Sequence, residues 1–451
     1  MTDQDALNSR IKELIEKRDW AELRGLLSEL PAPDIADMLR RIEKPDRVLI
    51  FRMFPRQLSS EIFSYLESQD KDTFLKELTN EETQQILSNL SPDDRAQFFE
   101  ELPGRAIQRL LNLLNPDDRR ETLQLLGYPE ESVGRLMTPD YVAVRSNWSV
   151  GQALEHIRLK GKDSETINVV HVTDDSWVLL DALSLRKFIL AKPDDPVSGI
   201  MDYTFVSVSA FEDREQAVKM IQRYDLVALP VVDSEGVMLG IVTVDDVMDV
   251  AQEEATEDFH KVAAVEPLKT SYSESSIWVL YRKRIVWLMV LLIVNLVASS
   301  VIAAYEEVLL STIALAFFIP LLIATGGNAG AQSSTLMVRA IATGDIKLGQ
   351  WFWALGREMT VAGFLGVTMG VASSILGLFR GGPEIGLIVG LAMVLLVFVS
   401  NFIGVVLPFM ITKFGLDPAV VSNPLITSVA DVAGLLIYFS IATRLLGTAL
   451  Q

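Results

Sequence analysis

A chain of 451 residues without a single cysteine cannot build disulfides or thiolate metal sites. Its 59 acidic and 40 basic side chains leave a net charge of −19, the wrong sign for nucleic acid and for anionic lipid surfaces. Seven acids and six bases lie from Ile285 onward, so the first 284 residues hold 52 acids and 34 bases, a net −18. The chain thus has an acidic half and an apolar half.

Residues 1–40 read as polar and amphipathic, with no apolar leader. From 30 to 126 the sequence repeats. Lys44, Ser68, Ser91 and Asn115 each open a Pro/Gln-Asp segment, 23 or 24 residues apart, and Pro55, Thr79 and Pro103 fall between them. A capping side chain, proline at the first helical position and acids in the first turn mark helix starts. Leu and Phe at helical spacing follow, as at Phe74, Leu75 and Leu78. The pattern predicts an all-α solenoid of short helix pairs over 1–129, a sensor or scaffold rather than a catalytic fold.

A different repeat occupies 130–250. Leu136-Met-Thr-Pro-Asp-Tyr-Val-Ala-Val matches Ile200-Met-Asp-Tyr-Thr-Phe-Val-Ser-Val, and Leu183-Ser-Leu-Arg-Lys-Phe matches Val242-Thr-Val-Asp-Asp-Val. Short β-branched runs alternating with helical periods predict two α/β units, 130–197 and 198–250. They resemble a tandem pair of cystathionine-β-synthase (CBS) modules. Residues 251–281 read as an acidic connector, with Glu254, Glu257 and Asp258 on one side of a helix, where like charges repel unless solvated or joined by a cation.

Residues 282–451 read as an α-helical membrane domain. Four uncharged stretches, 285–305, 308–338, 359–379 and 385–412, precede a last one around Asp431, and each is long enough to cross a bilayer. The 308–338 stretch turns polar after Ala324, which predicts a bend or break there. Five spans follow. Arg282, Lys283 and Arg284, then Arg339, Lys347 and Arg357, then Lys413 lie on one side; this predicts a cytosolic N-terminus and an outside C-terminus in the cell inner membrane. All three histidines precede this region, so a metal within it meets oxygen ligands, which suit hard cations such as Mg2+.

Asp431 interrupts an apolar run from Pro424 to Ala442, seven residues and roughly 10 Å of helix past the proline. A charge at that depth costs about 2.5–3.5 kcal/mol on insertion scales and marks an ion path better than a packing feature. Upstream, Pro320 precedes Gly326, Gly327, Asn328, Gly330 and Gln332. Glycines allow close backbone approach, and the amides offer oxygens to a pore lining.

The motif P-x6-G-N-x-G-x-Q from Pro320 to Gln332 and L-D-P-A-x-V-S-N-P from Leu416 to Pro424, followed by Asp431, resemble those of the MgtE family of Mg2+ channels. The resemblance covers nearly the whole chain. It implies a homodimer with an ion path along the two-fold axis, Asp431 holding hydrated Mg2+ and Asp417 near the cytosolic mouth. Gly327, Asn328, Gly330, Asn423 and Pro424 would line that path. It also implies regulatory Mg2+ at Glu61 and Asp93 in the N-domain, at Glu215, Asp225, Asp246 and Asp249 in the second CBS unit, and at Glu254, Glu257 and Asp258 in the connector.

Three positions depart from the family pattern. Gln97 stands where a second acid beside Asp93 is expected. Lys187 stands where nucleotide-binding CBS modules carry a ribose-gripping aspartate, and Asp181 where a glycine is usual, so ATP in the first CBS site is disfavoured; an ammonium donates only. With no histidine in the membrane half, an H-E-x-x-H protease is excluded. The rival to a channel is a coupled secondary transporter of divalent cations, since one acid can also relay protons.

Overall fold

The computed structural model describes residues 19–40, 44–66, 68–100, 104–268, 275–418 and 423–449, together with Arg10, Ile11, Glu13, Leu14, Lys17, Ile42, Leu102 and Tyr272. The chain divides into two compact units, Met1–Glu253 and Glu254–Gln451.

Among the described residues the first unit has nine short helices before its sheets: α1 (Trp20–Ser28), α2 (Ala32–Arg40), α3 (Lys44–Phe51), α4 (Arg56–Ser64), α5 (Ser68–Glu77), α6 (Asn80–Asn89), α7 (Pro92–Glu100), α8 (Gly104–Leu111) and α9 (Pro116–Leu125). Their starts fall where the repeat placed them. Thr79 forms a reciprocal capping box with Glu82, and the Asn115 side chain accepts from the N–H groups of Asp117 and Asp118. Apolar stripes converge on one core, in which Phe51 and Phe74 lie 4.6 Å apart between ring centroids and Phe63 and Phe98 5.4 Å. Arg95 is 2% exposed and crosses from α7 to α6 and α9: Nε donates to Thr122 Oγ1 at 2.9 Å, Nη1 to the Leu87 carbonyl at 3.3 Å and Nη2 to Glu121 at 2.6 Å.

After the single turn α10 (Val133–Leu136), two α/β units repeat one plan. The first has β1 (Tyr141–Arg145), α11 (Val150–Lys160), β2 (Thr166–Thr173), β3 (Leu179–Ser184) and α12 (Leu185–Leu190). The second has β4 (Val208–Ser209), α13 (Arg214–Tyr224), β5 (Ala228–Val232), β6 (Met238–Thr243) and α14 (Val244–Val262). In each sheet the first pair is parallel and the second antiparallel, as in Ala143 opposite His171 and Leu229 opposite Val242. The parallel pair needs the crossover helix that the sequence supplies. α14 runs through without a break at the expected boundary after Val250, so connector and CBS unit share one helix.

The second unit holds the apolar helices α15 (Ile277–Ala304), α16 (Glu306–Ser311), α17 (Ile319–Ala342), α18 (Trp351–Lys413) and α19 (Asn423–Ala449), with a 3₁₀ turn over Ile313–Phe318. Within α18, Gly382 adopts φ +84° and reverses the chain. Its two arms then run antiparallel: a Cβ on Gly377 would lie 2.7 Å from Gly386, and one on Gly370 3.0 Å from the Gly390 carbonyl. Among the described residues four helical segments are long and apolar enough to cross a membrane, and the α18 segment is folded back on itself.

One expectation fails here. The break predicted after Ala324 lies earlier, at Thr312 and the 3₁₀ turn, and α17 runs unbroken through Thr325, Gly326 and Gly327. Pro320 sits in its first turn, where the missing N–H has no intrahelical partner to lose. The glycines instead serve packing: Cβ atoms there would lie 2.6 Å from Leu396 at Gly326 and 3.0 Å from Ile426 at Gly330.

Candidate functional site

Asp431 lies two turns into α19, on the side that meets α17. A Cβ on Gly327 would stand 3.1 Å from Thr427 and 3.6 Å from Asp431 Oδ1, so the absent side chain is what lets the carboxylate reach the α17 backbone. The Thr427 and Ser428 hydroxyls donate back to the Pro424 carbonyl at 2.9 Å and are spent there. Asp431 Oδ1 is buried with no hydrogen-bond partner. A buried, unpaired carboxylate oxygen is costly and is found where something else supplies the positive charge.

Along α17, Asn328, Gln332 and Thr335 recur at helical spacing on an exposed stripe beside Gly327. Thr335 Oγ1 donates to Asn423 Oδ1 at 3.1 Å, which fixes the first residue of α19. Gly327, Gly330, Asn423 and Asp431 are thus brought together where α17 meets α19; Asn328 lies on the adjacent exposed stripe and Pro424 follows Asn423. Residues 419–422 of the second motif lie outside the described residues.

Sequence reasoning missed Glu358. The uncharged stretch at 359–379 begins just after it, but α18 begins at Trp351 and carries Glu358 two turns in. Ser333 Oγ on α17 donates to its Oε2 at 3.0 Å. Arg357 beside it disguised the signal, since a charged pair at the edge of an apolar run reads as an interface.

Asp417 is not open. Lys261 Nζ donates to Asp417 Oδ2 at 2.6 Å and pairs with Glu257 Oε1 at 2.6 Å. Burial opposes the lysine charge, but the bonds to Asp417 and Glu257 outweigh it and raise the Lys261 pKa. Glu254 and Asp258 stand on the same helix, each with interactions of its own.

In the first unit a second acidic group forms where α7 faces the start of α14. Burial holds the Asp93 carboxyl well above the usual carboxylate range, and the nearby Asp246 and Asp94 push the same way. Asp93 Oδ1 is buried without a partner. Asp246 is raised to about 7, chiefly by burial; a 2.7 Å bond from Thr243 opposes, and Asp245, Asp94 and Glu165 add to the shift. Burial also raises Asp94, Asp249 and Glu165. Glu165, from the segment before β2, was not anticipated. Glu61 is exposed on α4 at the fringe, where with Asp94, Asp245 and Asp249 it adds to the burial that raises the Tyr65 hydroxyl.

Other expected ligands do not join. Glu215 is paired with Lys219 on its own helix, Asp225 is an exposed αL cap ending α13 at φ +52°, and Gln97 is exposed. Among the described residues no three acids or histidines converge as a ready metal cage.

In the first CBS unit the residues at the position where a ribose would be gripped have partners within the chain. Asp181, fully buried, accepts from the N–H groups of Ala182, Asp202 and Tyr203 at 2.9–3.0 Å. Lys187 pairs with Asp202 and, with Thr204, holds its carboxyl down to about 2.

Comparison with known proteins agrees along the whole chain. A family model described as a divalent cation transporter (MgtE) matches residues 319–441, one for the MgtE intracellular N domain matches 30–131 and one for the CBS domain matches 197–253. A magnesium transporter MgtE from Thermus thermophilus is 38% identical over 98% of this chain and 99% of its own length. One from Bacillus subtilis is 34% identical over 71% of this chain and 70% of its own. A crystal structure of the cytosolic domain of the Mg2+ channel MgtE in complex with ATP covers 54% of this chain and 99% of its own, with 35% identity and a TM-score of 0.52.

Proposed function

The chain belongs to the MgtE family of magnesium transporters, and on that premise we propose that it is a Mg2+ channel closed by cytosolic Mg2+. Magnesium transport through a membrane comes with the family. The channel mechanism and its gate rest on this chain's own residues. In this reading residues 1–129 form the N-domain, 130–250 the CBS pair, 251–281 the connector and 282–451 a five-span pore domain, the fold-back at Gly382 making two spans of α18.

The observation that carries the proposal is the Asp431 carboxylate, one oxygen of which is buried and unpaired, set against Gly327. Mg2+ gives up water reluctantly, so an anionic oxygen beside an exposed amide stripe can hold the hydrated ion through its water shell. Two copies of the chain would face their α17 stripes and Asp431 residues across a two-fold axis. No side chain of α15 is fully buried within the chain; Ala298, Val301 and Ile302 pack against the core, and the rest of its apolar surface is left for lipid or a second copy. The N-terminus then lies in the cytosol and the C-terminus outside.

The gate is the acidic half. Two unit charges 4 Å apart interact by about 4 kcal/mol at an effective dielectric of 20, so Asp93, Asp94, Asp245 and Asp246 resist being brought together unless a counter-ion joins them. Millimolar Mg2+ supplies that charge, closes α7 onto α14 and holds the connector in place. When Mg2+ falls, repulsion frees it, a population shift driven by differential ion affinity. ATP has no designed role in the first CBS unit, where Asp181 and Lys187 are engaged with the chain itself.

Reconstitution tests the pore. Asp431→Asn in proteoliposomes is expected to cut Mg2+ uptake to near background while the protein stays folded; near-normal uptake would rule the assignment out. Single-channel Mg2+ currents recorded at one fixed pH on both sides distinguish a channel, which gives unitary steps, from a proton-coupled transporter, whose stepwise turnover gives none.

A further inference from the structure

The trio Lys261, Glu257 and Asp417 joins the last turn of α14 to the segment that follows α18, across 156 residues of sequence. Its three side chains are between 25% and 37% exposed, so the pairing is partly screened yet out of bulk water. Lys261 sits in the last turn of its helix, where the macrodipole favours a cation and holds the ammonium in place. One ammonium joins the two carboxylates. Asp417 lies six residues before Asn423, where the Asp431 helix begins. Its carboxylate is therefore the last fixed charge before that helix, and here a lysine of the connector takes it.

We propose that Lys261 is a tethered counter-ion: with α14 docked it occupies Asp417 and withholds that carboxylate from the permeating ion, and when α14 leaves it returns a full negative charge to the mouth. This deepens the gating reading above and rests on it. Lys261 then does two things at once. It anchors the connector by a charge-assisted bond, and it lowers the local cation concentration by cancelling the field that would draw Mg2+ in. Mg2+ bound elsewhere in the acidic half need not reach Asp417 to close the path, because the ammonium already stands in its place. The role is positional and electrostatic, so charge rather than shape decides it.

The test uses full-length protein in proteoliposomes, each variant normalised to its own uptake at low internal Mg2+. Lys261→Gln is expected to raise the half-inhibitory Mg2+ concentration about five-fold, within the span usual for coupled sites, while Lys261→Arg stays near the parent. Asp417→Asn removes the same bond, so adding it to Lys261→Gln is expected to bring little further change. An unchanged half-inhibitory concentration in Lys261→Gln overturns the proposal. A lowered one overturns it too, since Mg2+ itself would then hold the carboxylates. The contact is checked separately with Lys261→Cys and Asp417→Cys, clean labels in a chain with no native cysteine, and a short bifunctional thiol reagent. Cross-linking that rises with Mg2+ and arrests uptake supports the latch, and no cross-link overturns it. A parent protein indifferent to Mg2+ but cross-linked readily would sink the gating reading while leaving the ion pair in place.

Discussion

At the scale of single residues, the acids of this chain divide by what faces them. Glu257 and Asp417 have a lysine, Glu358 has a serine hydroxyl, and one oxygen each of Asp93 and Asp431 has no partner. Asp93 and Asp246 bind protons more tightly in the closed arrangement than they would when separated and solvated. Closure is therefore favoured by acid, holds that advantage fully below the ordinary carboxylate range of about 4, and loses it as pH rises through about 7. Without divalent ions, protease protection of the segment between α9 and α10 is expected to fall from about pH 5 to about pH 7.5, and millimolar Mg2+ to restore it. Asp93→Asn should flatten the profile. A parent profile that is already flat would count against cation-bridged closure.

At the scale of elements, the membrane half is assembled by glycines. Gly404 on the second arm of α18 meets α17 so closely that a Cβ would lie 2.5 Å from the Gly330 carbonyl and 3.1 Å from the Ser334 amide. Backbone atoms cannot move aside as a side chain tip can. Gly404→Ala should cost about 1–3 kcal/mol through this clash, seen as a lowered unfolding midpoint in detergent. Its transport should fall as well, because α17 carries the amide stripe and Gly327. Gly349→Ala is the control: nothing lies within 4 Å of the position a Cβ would take there. An equal loss of stability in both variants would contradict the packing account. The same closeness explains why α17 does not break after Ala324: its polar residues sit on a face, and its glycines seat neighbouring helices rather than weaken their own.

At the scale of the whole molecule, the proposal makes the acidic half the sensor and the apolar half the conductor, and α14, Val244 to Val262, carries the sequence from one to the other. Removing residues 1–129 takes away Asp93 and Asp94, two of the carboxylates that face the start of α14. The shortened protein is expected to take up Mg2+ at internal concentrations that stop the full-length chain, in a fluorescence uptake assay with Mg2+ inside the vesicles. Inhibition that survives this deletion would place the sensor elsewhere, in the CBS pair or the connector alone.

Much of this could be read along the chain. Helix starts in the N-domain follow from local capping and proline chemistry, the paired α/β units from alternating periods, and the intramembrane acid from the uncharged run around Asp431. These signals are short-range, set by residues within a turn or two. The long-range facts were not legible. That Lys261 reaches Asp417, that Glu358 lies inside a helix and bonds Ser333, and that Glu165 joins the acids around Asp246 depend on segments distant in sequence meeting in space. Periodicity tells which face of a helix is apolar, but not what that face will meet. Burial, and with it the cost of each unpaired charge, is decided only when the elements pack.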